Sequence, residues 1–219
     1  MTIIKICGIT RYDDAVTATD AGADMLGLNF FKRSPRYIEI AAAREICDTL
    51  REAYGKNCPV LVGLFVNATD SDIAAIMGEV GLDFAQLSGD ESDEMIAELR
   101  GKAFKSIRPM NKAMALDDTK YYQPHFPSDD RVPSLILDAY HPKLYGGTGE
   151  TASIEVAQAV KADVPRMMLA GGLNPENIAE RMQTIQPWGV DVASGVEDDT
   201  PGIKSAAKIQ AFVQAVRGI

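Results

Sequence analysis

Met167-Met168-Leu169-Ala170-Gly171-Gly172 and Val190-Asp191-Val192-Ala193-Ser194-Gly195 share one construction, a short and mostly apolar run that breaks at glycine. A third stretch repeats it, with Leu135-Ile136-Leu137-Asp138 leading to Gly146-Gly147-Thr148-Gly149. Each run is short enough for a parallel strand covered on both faces, and each glycine follows where such a strand would end. Glycine there leaves no Cβ in the path of a ligand, and clustered backbone N–H groups form an anion site. Three such turns, each followed by a helical pattern, point to one phosphate cradle at one end of a repeating β/α fold. The residues expected to form it are Gly147, Thr148 and Gly149, then Gly171 and Gly172, then Ser194 and Gly195.

The same hydropathy recurs upstream. Eight strand-like runs can be read, Ile3–Ile9, Met25–Phe30, Val60–Val66, Phe84–Leu87, Phe104–Arg108, Leu135–Ala139, Met167–Ala170 and Val190–Ala193. Several are near-continuously apolar rather than alternating, as strands buried on both faces are. Helical patterns lie between them. Asn174-Pro175-Glu176 supplies an N-cap, a proline at the first helical position and an early acid, and Ile178, Met182 and Ile185 then share a face. Ile209, Phe212, Val213 and Val216 form a stripe that ends at Gly218. The stretch Met110–Pro133, with Pro124, Pro127 and Pro133, yields only a short helix near Ala113–Tyr122.

Strand–helix alternation without a composition break predicts a single α/β domain over 1–219. Eight units in 219 residues suit a closed (β/α)8 TIM barrel better than an open sheet. No GxGxxG follows the first strand, which disfavours a dinucleotide fold.

The composition, 46% hydrophobic and 24% charged, is that of an ordinary globular chain. A net charge of −9 argues against a nucleic-acid or anionic-membrane partner. An anion must then be bound locally, by backbone dipoles and one or two placed cations. Cys7, Cys47 and Cys58 make no paired framework, so a reducing cytoplasm is the expected setting. His125 and His141 share no metal-like spacing, and no metal is expected. Met1–Cys7 reads as a first strand rather than an export signal.

Catalytic side chains of a (β/α)8 barrel project from the C-terminal ends of strands. Three polar residues near such ends stand out. Cys7, in Lys5-Ile6-Cys7-Gly8-Ile9-Thr10, reads either as a small core residue or as a general base whose thiol is lowered by a nearby cation or helix N-terminus. Lys5 would share its pleat face. Asp138, closing an apolar run, is either a loop cap or an acid whose pKa burial raises into the range a general acid needs. Asp191 is its rival, ranked lower because it lies nearer the middle of its run. Arg36, in Ser34-Pro35-Arg36-Tyr37, can take a substrate carboxylate through two parallel hydrogen bonds, or make a surface salt bridge.

In order along the chain, Lys5–Thr10, Gly27–Phe30 with Ser34–Tyr37, Gln86–Glu91, Leu137–Ala139, Gly146–Gly149, Leu169–Asn177 and Gly189–Glu197 with Pro201–Lys204 resemble the phosphoribosylanthranilate isomerase family. The resemblance implies an Amadori rearrangement of an anthranilate aminoaldose phosphate in tryptophan synthesis, without a cofactor. By position it implies Asp138 as general acid, Cys7 as general base, Arg36 on the anthranilate carboxylate and the glycine turns around the phosphate. The chain departs from the family's usual pattern at Ser88, where histidine is usual, and at Ala193, where serine is usual. It also reads Glu150-Thr151-Ala152-Ser153 where an aromatic residue and Asp-Trp are usual. Competing readings keep the barrel but change the chemistry. The aminoaldose isomerase of histidine synthesis would want aspartates at the first and fifth strand ends, which are Cys7 and Arg108 here. The indole-forming enzyme would want catalytic lysines and a glutamate. A non-catalytic phosphometabolite binder would need neither Cys7 nor Asp138.

Overall fold

The computed structural model describes residues 1–139 and 153–218. Its eight strands are parallel and close a barrel in chain order. They are β1 (Ile3–Cys7), β2 (Met25–Asn29), β3 (Val60–Phe65), β4 (Phe84–Leu87), β5 (Ala103–Ile107), β6 (Leu135–Leu137), β7 (Met167–Leu169) and β8 (Gly189–Val192). Between and after them run α1 (Tyr12–Ala21), α2 (Ile40–Tyr54), α3 (Asp70–Val80), α4 (Asp93–Glu98), α5 (Lys112–Tyr122), α6 (Ile154–Asp163), α7 (Ile178–Ile185) and α8 (Ala206–Arg217). Closure is made by β8 against β1, with Ile4 opposite Val190 and Ile6 opposite Val192. The (β/α)8 barrel expected from the hydropathy pattern is the fold observed.

Strand ends fall a residue or two from their expected places, for local reasons. β1 stops at Cys7 rather than Ile9 because Gly8 turns to φ +76°, and the N–H groups of Gly8 and Ile9 both donate to the Gly27 carbonyl at 2.9 Å. β6 stops at Leu137, although the Asp138 N–H still donates to the Ile107 carbonyl at 2.9 Å. Asp138 is therefore the first residue beyond its strand.

The cap expected at Asn174 acts one turn ahead of the regular helix. Its Oδ1 accepts from the N–H groups of Glu176 and Asn177 at 3.0 Å each, and the Asn174 N–H donates to Asn177 Oδ1 at 3.0 Å. This closed turn delivers the chain to α7 at Ile178. In the proline-rich stretch, α5 begins at Lys112, with Asn111 Oδ1 accepting the Met114 N–H at 3.0 Å.

Two apolar layers explain why the strands read as continuous runs. Outside the barrel, Ala43, Ile46, Cys47 and Leu50 of α2 are buried at i, i+3, i+4 and i+7. Burial pushes the Cys47 thiol up to about 12, so this cysteine is an inert core residue. Ile209, Phe212, Val213 and Val216 of α8 are buried as their spacing predicts. Inside, Met25, Val62, Phe84, Phe104, Ile136 and Met168 form the barrel floor. Among the described residues no helix is long and apolar enough to cross a membrane.

Candidate active site

The inner face of the barrel changes character along its strands. Ile3, Met25, Phe84, Phe104 and Ile136 belong to the apolar floor. Two residues further along, on the same pleat face, stand Lys5, Gly27, Gln86, Ser106 and Asp138. Two further still stand Cys7, Asn29, Ser88 and Arg108. The C-terminal mouth is therefore polar, and a cavity there is lined by Cys7, Asn29, Arg36, Gln86, Ser88, Arg108, Asp138 and Asp191 among others. Cys7 from the first strand and Asp138 from beyond the sixth face the same space. The two-residue polar step is the signal in the sequence by which Asn29, Gln86 and Arg108 could have been picked out beforehand.

Cys7 and Lys5 converge over Gly27. A Cβ at Gly27 would lie 2.8 Å from the Cys7 Sγ and 3.1 Å from the Lys5 Nζ, so a side chain there would displace both. Lys5 is fully buried and donates to Asp191 Oδ1 at 3.0 Å. Burial opposes the lysine's charge, but Asp191 and Cys7 outweigh it and hold the Lys5 pKa above its ordinary value. Asp191, the rival acid, is thus the counter-ion of Lys5. The base reading of Cys7 asks for a lowered thiol, and here the structure differs. Burial pushes the Cys7 thiol up, with Lys5 pulling against it less strongly than desolvation pushes.

Asp138 is buried, and its carboxyl is raised in the direction that a general acid needs. Burial is the main cause that pushes its carboxyl up to about 6, and Asp191 adds to the push. The Ala139 N–H, which donates to Asp138 Oδ1 at 2.8 Å, and the charges of Arg108 and Lys5 pull the other way. A carboxyl raised from 3.8 to about 6 binds its proton more tightly in the folded chain. Its ionised form therefore destabilises the fold above pH 6, and the penalty vanishes as pH falls below about 4. Asp138→Asn is expected to raise unfolding free energy near pH 8 by on the order of 2 kcal/mol, and to leave it unchanged near pH 3.5. Urea titrations at the two pH values check this, and equal shifts at both would refute the burial account.

Arg36 is held by its own loop and by a distant one. Ser34 Oγ accepts from Asn29 Nδ2 and from the Arg36 N–H, both at 3.1 Å. Arg36 Nε and Nη2 donate to Glu197 Oε1 and Oε2 at 2.7 and 2.8 Å. The ion pair among the two sequence readings is real, but it is largely buried rather than superficial, and Arg36 also lines the cavity. A guanidinium presents five N–H donors, so its Nη1–Nη2 edge remains for a second planar acceptor.

Gly171 (φ +87°) and Gly172 (φ +58°) occupy left-handed backbone and, with Ser194, line the cavity. Their freedom from a side chain serves packing between loops as much as ligand approach. A Cβ at Gly171 would stand 2.5 Å from the Ala139 N and 2.8 Å from Asp138 Oδ1, and one at Gly195 would overlap the Leu173 carbonyl oxygen. Gly195 packs against the neighbouring glycine loop and is not among the lining residues. Gly147, Thr148 and Gly149 lie outside the described residues, as do Gly146, Glu150, Thr151, Ala152 and His141.

Glu197 and Lys204 are further buried polar residues at this mouth that the sequence reading did not single out. Gln86 Nε2 donates to Ser88 Oγ at 3.2 Å, so the serine at the departure position is tied to its strand neighbour.

A buried carboxyl raised to about 6, a thiol beside a buried lysine and a held arginine share the C-terminal mouth of a closed parallel barrel, where (β/α)8-barrel enzymes carry their active sites, and the set is able to move protons. A family model described as N-(5'phosphoribosyl)anthranilate (PRA) isomerase matches residues 4–215, and the chain belongs to that family. The N-(5'-phosphoribosyl)anthranilate isomerase of Chlorobaculum parvum is 41% identical, over 100% of this chain and 96% of its own length. That of Geotalea uraniireducens is 40% identical over the whole of both chains. The crystal structure of the Thermotoga maritima enzyme matches both chains fully at 30% identity with a TM-score of 0.86. A further structure of the isomerase, in complex with reduced 1-(o-carboxyphenylamino)-1-deoxyribulose 5-phosphate, covers both chains at 28% identity with a TM-score of 0.83.

Proposed function

We propose that this chain catalyses the Amadori rearrangement of N-(5'-phosphoribosyl)anthranilate to 1-(2-carboxyphenylamino)-1-deoxyribulose 5-phosphate in tryptophan biosynthesis. The observation that carries the reading is the placement of Cys7 and Asp138, from opposite parts of the chain, on one cavity that Arg36 also lines.

Protonated Asp138 gives its proton to the ribose ring oxygen. The bond between that oxygen and C1' breaks, and the nitrogen lone pair closes a C1'=N iminium. The iminium acidifies the neighbouring C–H, so a modest base suffices. The Cys7 thiolate takes the C2' proton, the C–H electron pair forms C1'=C2', and the iminium nitrogen becomes a neutral enolamine. The enolamine gains a proton at C1' and loses its C2' hydroxyl proton, which gives the ketone. Lys5, beside the sulfur, favours the thiolate electrostatically. Arg36 holds the anthranilate carboxylate, and Gly171, Gly172 and Ser194 hold the phosphate, whose remote binding energy fixes the geometry. The net charge of −9 fits local anion binding, and the free thiols suit a reducing cytoplasm.

Enzymatically made phosphoribosylanthranilate, followed by loss of anthranilate-type fluorescence, tests the proposal. Purified protein should accelerate the decay, and no acceleration would remove the reading. Arg36→Met should raise KM by about 10²-fold with kcat little changed, as losing a charge-assisted bidentate contact does. An unchanged KM would remove Arg36 from the carboxylate site.

A further inference from the structure

Glu197 is more strongly engaged than a surface ion pair requires. Besides Arg36, its Oε1 accepts from Lys204 Nζ and from the Gly202 N–H, each at 3.1 Å. Lys208 Nζ donates to the Glu197 main-chain carbonyl at 2.7 Å, and Lys204 Nζ also donates to the Ala193 carbonyl at 2.9 Å. The side chains of Glu197 and Lys204 are 4% and 0% exposed, and that of Arg36 is 13% exposed. The carboxylate is thus fixed by its own loop after β8 and reaches across to the loop after β2. Buried ion pairs are a weak source of stability, since desolvation offsets most of the attraction. What this one does is geometric: both Glu197 oxygens take one edge of the guanidinium, which turns the other edge away from them.

We infer that Glu197 is the positioning residue of the carboxylate subsite, holding Arg36 by its Nε–Nη2 edge so that the Nη1–Nη2 edge is set to receive the substrate's aromatic carboxylate. The inference rests on the function proposed above and adds to it the group that aims the arginine. An arginine already held gives up little rotamer freedom when the carboxylate arrives, so preorganisation appears as affinity for substrate rather than as rate in the bound complex.

The test is steady-state kinetics with phosphoribosylanthranilate on wild type, Arg36→Met, Glu197→Gln and the double variant. Glu197→Gln preserves shape but cannot accept from both Arg36 nitrogens with charge. It should raise KM roughly tenfold to thirtyfold, the fold-change of freeing one arginine's rotamers, with kcat within about threefold. In the Arg36→Met background the same change should move KM by less than about twofold, because a residue that works through Arg36 has nothing left to aim. Independent, multiplying effects in the double variant, or a fall in kcat at unchanged KM, would overturn the inference and leave Glu197 as a packing group. Glu197→Asp keeps the charge but is one methylene short. Its KM should fall between wild type and Glu197→Gln, and a wild-type KM would overturn the inference even if the glutamine variant fails to fold. The two readings fail differently. Inactive wild type sinks the proposed function. Active wild type, with KM raised by Arg36→Met but not by the Glu197 variants, sinks only the positioning role.

Discussion

Asp138→Asn should lower kcat on phosphoribosylanthranilate by about 10³-fold, within the range a positioned general acid supplies, while affinity for inorganic phosphate stays within about twofold. Asparagine matches the shape of the carboxyl and can still accept the Ala139 N–H that meets Asp138 Oδ1 at 2.8 Å. What it removes is the transferable proton. Without it the ribose ring oxygen must leave as an alkoxide, and ring opening becomes the slow step. The same variant should be the more stable protein near neutral pH, because the wild-type carboxylate sits where burial disfavours its charge. Loss of activity with gain of stability separates a catalytic role from damage to the fold, and a kcat within tenfold of wild type would remove Asp138 as the acid.

Cys7→Ala should lower kcat by about 10²–10³-fold, with phosphate affinity again retained. Alanine fits the site, since the Sγ occupies the space above Gly27 and its removal crowds no neighbour. The pH profile adds a stricter check. Asp138 titrates near 6 and burial holds Cys7 above the ordinary thiol value of 9.0, so at neutral pH most molecules carry a carboxylate and a thiol. The working pair is the reverse, acid and thiolate. Its population is small but constant between the two pKa values, because each unit of pH that deprotonates ten times more thiol also deprotonates ten times more acid. Below about pH 6 Asp138 is already protonated and the thiolate keeps falling, so kcat/KM falls. Above the thiol's pKa the acid is lost without further gain of base, and kcat/KM falls again. A profile that peaks below about pH 5 would show that this pair does not do the chemistry.

The parts of the molecule legible in the sequence are those governed by local periodicity. All eight strands were readable because their runs are apolar toward both faces, and their ends differ from the expected bounds by no more than two residues, as at Gly8 with φ +76°. Asp138 and Cys7 stood out because each places a reactive group at the end of an apolar run. Gln86 and Asn29 were passed over, although the two-residue alternation from Phe84 to Gln86 and from Met25 to Asn29 marks the inner face turning polar. Glu197, although it closes a stretch that carries the family resemblance, was given no role for another reason. A glutamate in a loop has no local mark of its partner, and its partner Arg36 lies across the closure of the barrel.

The amino-acid order by itself determined the repeating β/α plan, the positions of the glycine turns and the identity of the groups able to move protons. These follow from hydropathy and residue chemistry within a few neighbours. Only the tertiary structure decided that a thiol from the first strand and a carboxyl from beyond the sixth share a cavity. It also decided that burial raises both groups, and that Arg36 is gripped from behind by an acid from the far end of the chain. Those outcomes depend on barrel closure and desolvation, which bring together residues that no local pattern connects.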